Sequence, residues 1–289
     1  MGSNSPSFSL PPQRATFKGL LFDMDDSTAA VEKHWHTIGN ELGVDPKVIL
    51  QTSHGRRSID VLKLLSPEKA NWESSLKEPP FQYITFSRDL GAEASCVGGQ
   101  ANVRYTDIKH MEGLLPKLHG DDAVEIPGAR ALLDALGKVN APWAIVTSGT
   151  TPLVTGWLGV LKLPLPEHLV VAEDVENGKP DPACYVMGRE RLGLGAADEV
   201  LVLEDSPAGI KAGKAAGCKV LGVVTSHSVE QVVDAGPDWI VGDLSSVKLV
   251  GRSDGGVELE ILDALDMNDH SSERSSTIKH GLTPAGLGH

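Results

Sequence analysis

Short apolar runs recur along the chain, and most of them end in small or acidic residues. Residues 17–23, "FKGLLFD", predict a buried strand. The runs "WAIVTSGT" (143–150), "HLVVAED" (168–174), "EVLVLED" (199–205), "KVLGVVT" (219–225) and "DWIVGDL" (238–244) predict five more. Helical periodicity fills most of the intervals. Residues 29–65 predict helix, with "AAVEKHWHTIGNELG" as one amphipathic stretch, and "GARALLDALGKV" (128–139) predicts another. Strands alternating with helices imply an α/β fold built on a doubly wound, mostly parallel sheet. Ligands of such sheets bind outside the carboxyl ends of the strands. Asp23, Thr147, Asp174 and Asp205 all fall there.

Two stretches break the pattern. Residues 74–104, "SSLKEPPFQYITFSRDLGAEASCVGGQANVR", carry no sustained helical period. Residues 251–289 are rich in Ser, Gly, His and acidic side chains and are expected to form a disordered tail. The Ser/Pro-rich residues 1–14 are expected to be disordered as well.

Charge narrows the partners. Acidic residues number 39 and basic ones 26, a net charge of −13, which disfavours nucleic acid or an anionic membrane. A small anionic substrate stays compatible, because a divalent cation inverts the local field. No apolar run reaches the ~18 residues of a membrane span, and the opening stretch lacks the apolar centre of a signal peptide. Cys96, Cys184 and Cys218 are widely spaced, as expected of reduced thiols in a cytoplasmic protein.

Four stretches carry candidate chemistry. In "FDMD", alternate residues share a face, so Asp23 and Asp25 can point the same way from a strand end. One carboxylate can attack phosphorus while the other moves a proton to the leaving oxygen; the plain alternative is a strand running into a polar turn. "VTSG" (146–149) offers a hydroxyl and successive N–H groups that can cradle a phosphate, although such turns also begin ordinary helices. In "ENGKPDP", Lys179 is a point charge suited to phosphate oxygens, or else one more surface lysine. "VLVLEDSPAGIKAGKAAGC" closes a strand with Glu204 and Asp205, adjacent hard oxygen donors that suit Mg²⁺. Ser206 and Pro207 then suit a helix N-cap and its first turn.

"FDMD", "VTSG", "GKPDP" and "EDSPAGIKAGKAAG" stand in the order of the four motifs of the haloacid dehalogenase-like hydrolases, and the chain resembles the phosphatase branch of that superfamily. "SHGRR" (53–57), "IPGARALLDAL" and "VAEDVENGKPDP" look like the fungal and yeast glycerol-phosphate and 2-deoxyglucose-6-phosphate phosphatases. The resemblance implies a haloacid dehalogenase-like, Rossmann-like core with a helical cap. Residues 15–28 would supply its first strand, 29–122 a cap irregularly interrupted at 74–104, and 123–250 the rest of the core. It implies a nucleophile at Asp23 and a general acid and base at Asp25. Thr147, Ser148, Gly149 and Lys179 would bind phosphate. Asp23, Asp25 through its carbonyl, Glu204 and Asp205 would hold Mg²⁺, while His54, Gly55 and Arg57 of the cap would face the substrate. The implied activity is Mg²⁺-dependent hydrolysis of small phosphorylated sugars or polyols through an aspartyl-phosphate, by a monomer.

One departure stands at the first motif. The family reads Asp-x-Asp-Gly-Thr-Leu-x-Asp-Ser, and this chain reads "DMDDS", which leaves four residues absent between Asp25 and Asp26. That departure keeps an impaired or non-catalytic phosphate-binding homologue in play. A phosphosugar mutase, which uses the same motifs, is the other alternative. Both irregularities, here and at 74–104, are the kind a splicing peculiarity leaves.

Overall fold

The computed structural model describes residues 7–24, 29–53, 55–65, 67 and 105–266. The irregular stretch 74–104 therefore lies outside the described residues, as do Asp25 and His54.

Six parallel strands form the main sheet: β2 (Gly19–Phe22), β3 (Trp143–Val146), β4 (His168–Val170), β5 (Val200–Glu204), β6 (Lys219–Val223) and β7 (Trp239–Val241). Their spatial order is β4-β3-β2-β5-β6-β7. Successive strands run outward from β2 to one edge, and then from β5 to the other. The reversal falls beside β2, where a doubly wound sheet opens its ligand crevice. These strands read as near-continuous apolar runs because both faces are covered. Helices α5 (Ala129–Lys138), α6 (Thr151–Leu161), α7 (Ala183–Arg191), α8 (Pro207–Ala215) and α9 (Val229–Ala235) intervene between strands, and the strand side chains enter two large apolar clusters.

Between β2 and α5 the chain forms α1 (Ala29–Leu42), α2 (Pro46–Ser53), α3 (Ser58–Leu65) and α4 (Tyr105–Leu118). Trp35, Ile38, Ile49, Ile59, Leu62 and Ile108 make a separate apolar cluster among these four helices. Leu115 on α4 joins Leu153 and Trp157 on α6, which ties the helical layer to the sheet-bearing part. No helix among the described residues is long and apolar enough to cross a membrane.

Three expectations need correction. The run 17–23 is not one strand. Residues Gln13–Phe17 form β1, which pairs antiparallel with β9 (Gly256–Ile261), and the chain changes sheets at Lys18. β9 also pairs with β8 (Val247–Ser253), so residues 251–266 are folded rather than part of a disordered tail. The physical reason is alternation. Val257, Leu259 and Ile261 are fully buried, while Glu258 and Glu260 between them face outward. Their period of two survives in a composition that otherwise reads as polar. Residues of the expected disordered N-terminus are used too: Phe8 bridges Leu265, and Leu10 N–H donates to the Ala264 carbonyl at 3.0 Å.

Candidate active site

Asp23 leaves the carboxyl end of β2, the strand beside the reversal. Its N–H donates to the Leu203 carbonyl of β5 at 2.9 Å, so the ladder fixes its backbone. The Lys179 ammonium donates to Asp23 Oδ1 at 2.5 Å and to Glu204 Oε1 at 2.7 Å, and its side chain is 1% exposed. Burial opposes the charge on Lys179, but the carboxylates of Asp23 and then Glu204 outweigh it and raise its pKa. The ammonium also lies 5.1 Å from the centroid of the Tyr185 ring.

Glu204 ends β5 and is 1% exposed. A carboxylate offers about four acceptor positions. Oε1 accepts from Lys179 and from the Tyr185 hydroxyl, each at 2.7 Å. Oε2 accepts from the Ser206 N–H at 2.9 Å and from the Ser206 hydroxyl at 3.1 Å. Gly209 makes room, since a Cβ there would overlap the Glu204 carboxyl group. Glu204, expected among the metal ligands, therefore has the geometry of a holder of Lys179. Tyr185 was not singled out in the sequence, where its position six residues beyond Lys179 is the one local signal. Burial, and then the neighbouring Glu204 charge, push its hydroxyl pKa well up and keep it a donor.

Ser206 caps α8 as expected, accepting from the Gly209 N–H at 3.0 Å. Asp205 faces the cleft and accepts from the Ser226 hydroxyl. Ligand atoms of Asp23, Glu204 and Asp205 lie within 4.8 Å of one another. Three carboxylates against one ammonium leave two formal negative charges in excess, which a divalent cation would balance. Mg²⁺ takes oxygen donors and usually only one or two protein carboxylates. With the Glu204 oxygens engaged, Asp23 and Asp205 are the pair that fits it.

Thr147 follows β3, and its N–H donates to the Val170 carbonyl at 2.9 Å. Its hydroxyl accepts from the Gly149 N–H at 3.0 Å, so that N–H is already paired. Ser148 and Gly149 line a cleft with Asp23 and Asp205. Asp174 stands apart from this cluster, accepting from the Val171 N–H and pairing with Arg191.

The helical layer closes directly over this cleft. Ser148 Oγ donates to the Gly55 carbonyl at 3.0 Å. Arg57, expected to face substrate, does something else. Its Nε and one Nη2 proton go to Asp60, at 2.6 and 2.9 Å. The remaining three protons reach the backbone carbonyls of Ala172, Val175 and Glu176, at 3.2, 2.6 and 2.7 Å. All five guanidinium donors are used. A side chain at Gly178 would meet Asp60 at 2.5 Å and Arg57 at 2.7 Å, so the glycine before Lys179 admits this clamp. Glu112 on α4 adds a second bridge, accepting from the Thr150 N–H at 3.0 Å and from the Ser58 hydroxyl at 2.6 Å. Burial raises its pKa against the pull of those hydrogen bonds.

A parallel sheet with an aspartate, a threonine and a second acid at the ends of adjacent strands, a buried lysine from a following loop beside them and a helical cap over them defines a haloacid dehalogenase-like hydrolase, and the chain belongs to that family. The family model for haloacid dehalogenase-like hydrolases matches residues 92–223. Glycerol-1-phosphate phosphohydrolase 1 of Saccharomyces cerevisiae is 30% identical over 250 residues, spanning 82% of this chain and 87% of that protein. 2-deoxyglucose-6-phosphate phosphatase 1 of the same yeast is 30% identical over 261 residues, spanning 83% and 94%. Among solved structures, a hydrolase from Pseudomonas syringae shares the fold with a TM-score of 0.59 at 22% identity, covering 78% of this chain and 94% of that one.

Proposed function

We propose that this chain is a Mg²⁺-dependent phosphatase of small phosphorylated sugars or polyols. The observation that carries the reading is the Asp23 carboxylate, fixed by the β2–β5 ladder and held by a buried Lys179 beside Asp205. Relatives named for glycerol phosphate and deoxyglucose phosphate support the substrate class.

In this reading Asp23 attacks phosphorus in line with the leaving alcohol and forms an aspartyl-phosphate. Thr147 and Lys179 hold the phosphoryl oxygens, and the ammonium offsets the charge that grows on them. Asp25, two residues beyond Asp23, protonates the leaving oxygen and then takes a proton from the attacking water. Mg²⁺ at Asp23 and Asp205 would neutralise phosphoryl charge and orient the ester. The cap excludes bulk water while the intermediate exists.

The test is phosphate release from a panel of phosphorylated sugars and polyols, with Mg²⁺ and with excess chelator. Turnover should require the metal and should vanish in Asp23→Asn. Undiminished turnover in that variant, or in chelator, overturns the assignment. The residues absent after Asp25 favour a second reading, a homologue that binds phosphorylated ligands without fast turnover. Phosphate-ester binding with Mg²⁺ and no release from any ester would establish it.

A further inference from the structure

The cap places in the cleft a polar group that the phosphoryl chemistry does not use. His34 on α1 is 5% exposed and lines the same cleft as Asp23 and Asp205. Among the described residues its Nε2 has no hydrogen-bond partner. A buried polar atom left unpaired costs about 1–3 kcal/mol, so such an atom calls for an explanation. The ring lies beside that of Trp35, with centroids 5.7 Å apart, and an indole ring face offers Nε2 no conventional acceptor or donor. Burial lowers the His34 pKa to about 4. At neutral pH the ring is therefore uncharged, with one nitrogen donating and the other accepting.

Glu112 lines the cleft as well. Each of its oxygens accepts one hydrogen bond, from Ser58 and from Thr150, and each keeps a second acceptor position. A neutral imidazole and a carboxylate with spare acceptor positions match alcohol groups, which both donate and accept. They do not match a second anion. The Arg57 guanidinium, which would suit one, is fully engaged with Asp60 and three backbone carbonyls. Arg56 also lines the cleft; its charge would act on every phosphate-bearing ligand, and the discrimination between hydroxyl and carboxylate is assigned to Glu112.

We infer that His34 and Glu112 form a hydroxyl-recognising subsite for the uncharged, polyhydroxylated leaving group of the substrate. The inference rests on the phosphatase reading for the placement of the phosphoryl group at Asp23. It adds the side chains that select the alcohol.

Binding by the Asp23→Asn chain, with Mg²⁺ present, tests the subsite separately from turnover. Calorimetry would compare sorbitol 6-phosphate with propyl phosphate, which lacks hydroxyls, and with phosphoglycolate, which carries a carboxylate. Sorbitol 6-phosphate should bind on the order of tenfold more tightly than either, the scale of one or two hydrogen bonds in a closed site. Adding His34→Phe should reduce its advantage over propyl phosphate to within about twofold while propyl phosphate binding stays unchanged. Glu112→Gln, which keeps shape and volume, should reduce the discrimination against phosphoglycolate and serves if His34→Phe does not fold. Equal affinities in the parent, no measurable binding of any ester, or equal weakening of all three by His34→Phe would overturn the subsite. Failure of the phosphatase reading looks different: the unsubstituted chain releases phosphate from no ester, while the affinity ratios still report on His34 and Glu112.

Discussion

Glu204 and Asp205 are neighbours in the chain with different roles. Their carboxylates lie close together but meet different partners. Glu204 is engaged by Lys179, Tyr185 and Ser206, while Asp205 lines the cleft and accepts from the Ser226 hydroxyl. A buried ion pair of this kind is costly to assemble and more costly to break from one side. Glu204→Gln leaves Lys179 with Asp23 as its one remaining carboxylate. The amide nitrogen of Gln would face donors that now reach a carboxylate oxygen, from Lys179 and Tyr185 or from Ser206, and the expected loss is about 1–3 kcal/mol of unfolding free energy. Urea denaturation in metal-free buffer is the decisive measurement, because a residue acting mainly as a metal ligand would show little loss there. Tyr185 belongs to the same unit, since its ring lies against the ammonium and its hydroxyl orients the carboxylate.

At the level of elements, closure over the cleft depends on the turn between α2 and α3 gripping the loop that precedes Lys179. Arg57 supplies that grip, and the planar fork matters as much as the charge. Lysine offers one point charge and cannot reach Asp60 and three carbonyls together. Arg57→Lys should therefore loosen the cap while the parallel sheet stays intact. The expected result is a KM raised on the order of tenfold, the scale of one or two lost hydrogen bonds. Faster amide exchange in α2 and α3 should accompany it, with β2 to β5 still protected. Unchanged exchange in those helices would show that the cap is held by α4 and α6 alone.

The whole molecule is held together by a pairing between distant parts of the chain. β1, next to the nucleophile strand in sequence, is bonded to β9 near the end of the described residues. Trp239 of β7 meets Phe17 edge-on at 6.1 Å and donates from its indole to Gln13 at 2.9 Å, which couples the small sheet to the large one. Removing residues from Gly256 onward deletes the fully buried Val257, Leu259 and Ile261. At about 1.5–3 kcal/mol for each buried side chain, the loss approaches the ~5–15 kcal/mol stability of a typical domain. The truncated chain is expected to be unfolded or aggregated at 25 °C. A cooperative thermal transition in that chain would show that the antiparallel sheet is an accessory.

What the sequence by itself determined was what short-range pattern encodes. Short apolar runs located all six parallel strands, because a strand buried on both faces needs nothing beyond its own residues to be seen. The order of four short stretches was enough to assign the family, and "DSP" marked the capped start of α8, because a cap is a local hydrogen bond. The tertiary structure decided whatever depends on partners far away in the chain. Arg57 was legible as a cation in a cap loop, but its carbonyl partners lie more than a hundred residues on. Glu204 and Asp205 looked alike until Lys179 and Tyr185 were placed beside one of them. His34 and Glu112 gave no signal at all, since a polar residue on an amphipathic helix shows its face only after the other helices have packed. The alternation "VELEI" was present to be read. Its burial was decided by β1, some 240 residues earlier, because an isolated strand has no inside until another strand pairs with it.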